Sequence, residues 1–417
     1  MRRPAMTTPW YASPYTGLFA ESGPAAPQAH DPAVAVWSGV APLPDPAAEP
    51  PASGGAGWDA AAAEAAGVGE AVERWQAWPL PCDAAVESSY RNWPLDEPAV
   101  GPGRWVLFHH DQYALPRFPY EPWTPDTVCR WVCAREALTG LPHWAPEELV
   151  YLSLPRGRRA RLCPLISSGL SCGRPGHPVL LRGLQEAVER DALVGASWGR
   201  YPLAEADADA VFAGLGPAYA SRLRRPNLRY RFYRVRTPFS GHVTVVTLEG
   251  DDRAGYCFSV GAACRETRAA SWLKSLLEAV QGRHYVRYLK VQPRRPGLPA
   301  SFAEHAVYYS LHPDRLRETA LGRAATATEG FDTDADANSE EGVADLAARL
   351  GPGRPVLFRN LTPPGLAMER MDWRVVRVMV PGLQPLHGHH LLPFLGGSLW
   401  APRTWGDWAD MPPHPFP

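Results

Sequence analysis

Apolar residues recur at helical spacing in three separated stretches, at about 59–76, 180–197 and 266–281, and predict three long amphipathic helices. Val68, Ala71, Val72 and Trp75 share one side of the first, and Leu181, Leu184 and Val188 one side of the second. Leu273, Leu276 and Leu277 share one side of the third, with Val280 at its edge. Runs rich in β-branched and aromatic residues predict strands at 104–110 (RWVLFHH), 228–236 (LRYRFYRVR) and 242–250 (HVTVVTLEG), and two more in PVLFRNL and WRVVRVMVPGL. Strands and helices alternate without a strict repeat, so the expectation is an α/β fold of mixed α+β character, with mixed sheets packed against helices. The first 57 residues are rich in proline and alanine and end in SGGAG, which reads as an extended arm leading into a glycine loop, with one domain over 58–417. The acidic, small-residue stretch at about 323–345 reads as a mobile surface loop.

The polar side of the three helices repeats itself. Residues 70–74 read EAVER, residues 186–190 read EAVER again, and residues 278–281 read EAVQ. Positions i and i+3 lie on one side of a helix, so each EAVE copy presents two carboxylates as a pair, away from the apolar stripe. Taken singly, Glu70–Arg74 and Glu186–Arg190 are ordinary i,i+4 surface pairs, each worth roughly 0.2–0.5 kcal/mol. The third copy lacks that explanation, because Glu278 has Gly282 at i+4, a glycine that reads as the helix C-cap. Convergence of the three faces explains all copies at once. Two carboxylates about 4 Å apart repel by roughly 4 kcal/mol at an effective dielectric near 20, so gathered glutamates demand cations. Magnesium fits that demand, sharing its shell between carboxylates, phosphates and water. Arg74, Arg190 and Arg283 would then face phosphate oxygens.

Composition narrows the classes. Lysine plus arginine (42) balances aspartate plus glutamate (43) in 417 residues, so the overall field gives no reason to expect nucleic acid or an anionic membrane as partner. Lys274 and Lys290 are the only lysines and neither follows a P-loop glycine run, so any ATP site is of another design. Seven cysteines without a CxxC pair point to a reducing, cytoplasmic setting. No stretch approaches 18 apolar residues, so no membrane span is expected, and Asn360-Leu361-Thr362 is a chance sequon.

These residues resemble the YcaO superfamily, whose members bind ATP through S-x-x-E-x-x-E-R, a second E-x-x-E-R and a later E-x-x-Q, with magnesium bridging glutamates and phosphates. Matching stretches run along the chain: SPYTGLF (13–19), SGGAG (53–57), GVGEAVERW (67–75), SSGLSCG (167–173), GLQEAVERDAL (183–193), GAACRETRAASWLKSLLEAVQGR (261–283), VVRVMVPGLQ (375–384) and PPHPFP (412–417). Their order and spacing are more specific than any one of them. The resemblance implies ATP-binding roles for Glu70, Glu73, Arg74, Glu186, Glu189, Arg190, Glu278, Gln281 and Arg283, with Glu70, Glu73, Glu186 and Glu189 as magnesium ligands. The ending PHPFP resembles the PxPxP tail of azoline-forming members, which implies that Pro413, Pro415 and Pro417 enter the active site.

What the resemblance implies is an ATP- and Mg2+-dependent cyclodehydratase that makes thiazoline or oxazoline rings from Cys, Ser or Thr of a ribosomal precursor peptide. Thioamide or amidine formation, and a non-catalytic scaffold binding a peptide or a paralogue, are the alternatives. The chain carries no recognisable leader-recognition domain, so a separate leader-binding partner protein is expected, and a homodimer is compatible with the reading. Three departures bear on activity: Ala56 where the family's glycine run carries a lysine, Gly67 where the first motif has serine, and Ser168 where the family has asparagine.

Two other signals compete. Gly169–Gly173 (GLSCG) fits a nucleophile elbow, but RPGHP intervenes before the next helix, so a structural loop is expected. His387, His389 and His390 read as polar histidines near the tail or active site rather than transition-metal ligands, and Cys129 and Cys133 as core thiols.

Overall fold

The computed structural model describes residues 11, 18–41, 52–79, 84–155, 158–253, 255–293, 297–324, 326–329, 339–363 and 372–417. Three sheets organise them. The first, in order β1 (Glu21–Pro24), β2 (Ala35–Val40) and β3 (Ala52–Gly57), is antiparallel. The second contains β4 (Ala85–Ser88), β5 (Cys129–Glu136), β13 (Leu357–Asn360), β14 (Arg374–Met379) and β7 (Leu170–Gly173) in that order, with β6 (Pro142–Pro146) beside β5. The third runs β11 (Gly255–Ala263), β10 (Thr244–Asp252), β9 (Arg229–Val235), β8 (Leu203–Ala206) and β12 (Thr326–Glu329), antiparallel except for the β8–β12 pairing. The mixed α/β expectation holds.

Residues 21–24 and 35–40 form strands β1 and β2 rather than an extended arm, and SGGAG lies within strand β3 rather than a loop. Its glycines serve close packing rather than turning. A Cβ on Gly55 would stand 2.2 Å from the Ala63 carbonyl and 2.3 Å from the Gly67 amide, so the strand lies directly against the helix that follows. That first long helix, Ala60–Gln76, starts at Asp59, whose carboxylate accepts from the Ala62 amide at 2.8 Å. The second, Val179–Ser197, packs on β14 and β7, with Gly183 letting it approach Val378. The third, Arg268–Lys290, is capped by Thr267 and lies on β11 and β10. It runs straight through Gly282, the expected C-cap, because packing on β11 offsets the roughly 1 kcal/mol that an interior glycine costs.

The strand expected at 104–110 is also absent. Pro102–Arg104 form a 3-10 turn, and Leu107 and Phe108 instead enter an aromatic cluster with Trp123, Trp131, Trp144 and Phe394. The other expected strands are present as β9, β10, β13 and β14. Of the acidic stretch expected as a mobile loop, residues 325 and 330–338 lie outside the described residues, as do residues 13–17 of SPYTGLF. The remainder is ordered structure: β12, Glu341 buried against Ser240, Gly241 and Arg349, and the helix Val343–Leu350. Among the described residues, no helix is long and apolar enough to cross a membrane.

Candidate active site

The three long helices meet where the sheets adjoin. The first packs on β3 and β2 and also touches β7 and β14, the second bridges β14 and β11, and the third reaches from β11 to β3. Their acidic faces converge there. Glu73 on the first helix is pushed well above the ordinary carboxylate range by burial, and further by Glu186 and Glu70. Glu186 on the second is raised by burial and by Glu278 of the third, against the opposing pull of Arg190 and Arg377. Burial, Glu278 and Glu186 bring Glu189 to about 8 although Arg190 and Arg265 oppose them. Glu189 Oε2 accepts the Cys264 amide at 3.2 Å, and Glu278 Oε2 the Ala262 amide at 3.4 Å, which ties both helices to the end of β11.

Glu70 stands at one side of this group. It accepts the Gly54 amide at 2.7 Å and Arg74 at 2.6 Å, while Arg74 also donates to the Ala52 carbonyl, so the pair braces the first helix against β3. Gln281 meets the same strand: a Cβ on Gly54 would stand 2.9 Å from its Nε2. Burial opposes the charge on Arg190, yet Glu189, Glu186 and Glu278 outweigh it and raise its pKa. Its Nη1 donates to the backbone oxygen of Pro417 at 3.2 Å. Residues 412–416 of the segment line a small cavity together with Ala196, Leu203, Thr319 and Leu321. Pro413 and Pro415 are part of that cavity's wall, and Pro417 reaches the glutamates' arginine.

Arg283 does not join them. Five residues on from Glu278 is about 140° round a helix, and there it is buried against Asp252 at 3.3 Å and the carbonyls of Gly250 and Cys257. Two cations that sequence reasoning missed do face the cluster. Lys274 pairs with Glu278 at 3.0 Å, so the third copy has an i,i+4 partner after all, on its N-terminal side. Arg377 of β14 is driven down to about 10 by burial, offset by Glu186 and Glu73 among its neighbours. Its Nη1 donates to the Ile166 carbonyl at 2.7 Å and its Nε has no hydrogen-bond partner among the described residues. A second arginine, set inside an otherwise apolar strand run, was the available signal.

Residues 54–384 match the family model described as YcaO cyclodehydratase, ATP- and Mg2+-binding. The chain belongs to the YcaO family. Its fold is similar to a heterocyclase in complex with substrate and cofactor, at 17% identity and a TM-score of 0.73, covering 97% of this chain and 55% of that one. The chain thus spans about half the length of that heterocyclase. It is similar to YcaO from Methanopyrus kandleri bound with AMPPCP and Mg2+ (21% identity, TM-score 0.56, 87% and 86% covered). It is also similar to the E. coli microcin synthetase McbBCD complex (11% identity, TM-score 0.62, 99% and 98% covered). At these identities the likeness is one of fold. No curated protein gives a significant match.

One of the YcaO motif departures, Gly67, has a structural reason. At Gly67 a Cβ would stand 2.2 Å from the Trp37 ring, so the space of the motif serine is filled by tryptophan. Gly169 holds φ +84°, where a Cβ would meet the Val378 carbonyl at 2.1 Å, and its amide bonds Glu186. Ser171 is buried in β7, paired to β14, so GLSCG is no nucleophile elbow.

The donor set fits a hard cation: carboxylate oxygens crowded enough to raise one another's pKa. It is not a closed cage. Among the described residues, only exposed or half-buried His109, His110 and Asp111 bring three ligand atoms within 4.8 Å of one another. The wider glutamate arrangement suits a cation that fills its shell with phosphate oxygens and water. Beside it opens a cleft of about 670 Å³ including its mouth, lined by Arg190, Arg377 and Ser168 together with the apolar Trp105, Leu107, Ile166, Met379 and Phe394.

Proposed function

We propose that this chain is an ATP-dependent azoline-forming cyclodehydratase of a ribosomal precursor peptide, working in the cytoplasm with a separate leader-binding partner. The observation that carries the reading is the gathering of Glu73, Glu186, Glu189 and Glu278 from three helices beside an arginine that holds Pro417. ATP would supply the phosphoryl group that makes an amide oxygen a leaving group, and Mg2+ the charge that lets phosphates sit among carboxylates.

Each residue's part follows from its surroundings. Glu73, Glu186, Glu189 and Glu278 would hold the cation, while Glu70, already committed to Gly54 and Arg74, keeps β3 seated. Lys274 and Arg377 add positive charge at the rim and floor. The apolar wall of the cleft excludes water from the place where a Cys, Ser or Thr side chain closes on the preceding carbonyl. Arg190 links the acidic group to the tail, so the pose of Pro417 follows the charge state of the glutamates. Arg283 is left to the fold.

The test mixes the chain with partner, precursor, ATP and Mg2+ and weighs the peptide. Loss of one water per ring supports the reading. ATP hydrolysis with unchanged peptide mass rejects ring formation, incorporation of added sulfide identifies thioamide chemistry, and absence of nucleotide binding identifies a scaffold.

A further inference from the structure

The segment Pro412–Pro417 is gripped through its backbone. Tyr309 donates its hydroxyl to the Pro413 carbonyl at 2.5 Å, and His305 Nδ1 donates to the His414 carbonyl at 2.7 Å. The two donors sit one turn apart on the helix Phe302–Leu311. The His414 ring lies flat on His305, with centroids 3.8 Å apart and planes within 2°, and its Nε2 donates to the His387 carbonyl at 2.7 Å. His414 Nδ1 accepts the Phe416 amide at 3.3 Å, which turns the chain toward Arg190.

These bonds fix the protons. His305 carries a hydrogen on Nδ1, and His414 carries its hydrogen on Nε2 and is neutral because its Nδ1 accepts. A second proton on His414 would set a donor against the Phe416 amide. A second on His305 would sit on a buried Nε2 that has no acceptor. The surroundings add nothing to stabilise such a charge. His387 and His390 face the pair at 4.6–6.4 Å between centroids, Arg190 and Arg315 bring positive charge, and Glu304 acts only through the outlying His389. Burial also drives His305, His387 and His414 well below the ordinary histidine range, so the neutral grip holds at neutral pH.

We propose that His305 and Tyr309 are positioning residues for the reaction: they set the reach of the tail onto Arg190 through a grip that requires neutral histidines. The proposal rests on the cyclodehydratase reading for its kinetic consequence and on the hydrogen bonds alone for its structural one.

The experiment compares wild type with Tyr309→Phe, His305→Leu and His305→Asn, using partner, precursor, ATP and Mg2+, and follows the exchange of the His414 and Phe416 amides by mass spectrometry. Tyr309→Phe and His305→Leu should each lower kcat roughly fivefold to tenfold, the scale of one lost buried hydrogen bond, with KM for ATP unchanged and faster exchange of both amides. His305→Asn keeps a donor for the same carbonyl without a titrating ring. It should recover most of the rate and carry the acid limb of the kcat profile to lower pH. Wild-type kcat and exchange in both donor-removing variants, or a loss in kcat matched by the loss in nucleotide binding, overturns the proposal. If wild type converts no peptide, the functional reading fails, and the exchange rates still decide whether the grip exists.

Discussion

Cation binding should release protons. Glu189 is held at about 8, and Glu73 and Glu186 are also raised, chiefly by burial and then by one another and Glu278. At pH 7 the Glu189 carboxyl is one unit below that value, so only about a tenth of it is ionised. Clearing the proton costs about 1.4 kcal/mol, or roughly tenfold in affinity for each such group. The sign follows: a cation binds the carboxylate, so affinity rises with pH up to about 8 and falls below it. Titration calorimetry with Mg2+ and the non-hydrolysable analogue AMPPCP, in two pH 7 buffers of different ionisation enthalpy, counts the protons. Glu189→Gln serves as the reference that subtracts the nucleotide's own protons. Wild type should release about one proton more than the variant at pH 7, and that difference should fade above about 8.5. Equal proton counts, with affinity flat from pH 6.5 to 8.5 in both, would refute the convergence of these glutamates on a cation.

Stability without magnesium should respond to the same groups: their raised pKa values favour the folded state at low pH, and that advantage is lost as pH rises through about 8, so Tm should drop over this window and recover with Mg2+ and nucleotide. Arg377→Met leaves Glu73 and Glu186 without their buried cation and should cost about 3–5 kcal/mol in denaturant unfolding, with extra proton release on cation binding. Gly67→Ser restores the motif residue but drives it into Trp37, so it should destabilise by about 1–3 kcal/mol and bring no gain in nucleotide affinity. Arg283→Gln should lower stability through Asp31 and Asp252 while leaving nucleotide affinity of the folded protein unchanged.

The helical glutamates were legible because the 3.6-residue period fixes where a side chain points once the apolar stripe is known. The same rule, applied to Arg283, would have turned it away from Gln281 by nearly half a turn, and applied backwards from Glu278 it would have found Lys274. Glycine was the less readable residue. It marks loops by frequency, yet Gly55 and Gly57 sit in a strand because the helix Ala60–Gln76 leaves no room for a Cβ, and Gly282 sits inside a helix packed on β11. RWVLFHH has strand composition, but its Leu107 and Phe108 are buried in an aromatic cluster without a ladder, and only the partners, Trp131, Trp144 and Phe394, decide that. Arg377 needed the tertiary structure for a related reason: both faces of β14 are buried, so alternation along the strand does not say which face meets the acids.

Arg190 joins the two halves of the site. Its Nε lies 3.7 Å from Glu186 and 3.9 Å from Glu189, too long for tight pairing, while its Nη1 already holds Pro417 at 3.2 Å. A cation on the two glutamates would draw their charge away from the guanidinium and leave the Pro417 backbone oxygen as its main acceptor. Binding linkage is reciprocal, so whatever cation binding contributes to the tail's hold on Arg190, the tail returns to cation affinity. Because the tail is also held by Tyr309 and His305, the share passing through one hydrogen bond is small, on the order of 1 kcal/mol, or about fivefold. Removing Phe416 and Pro417 should therefore weaken Mg2+-nucleotide binding by no more than about that factor while impairing cyclisation far more. Equal losses in both would mean that the tail acts through the cation site, and unchanged cyclisation would mean that Arg190 needs no partner at Pro417.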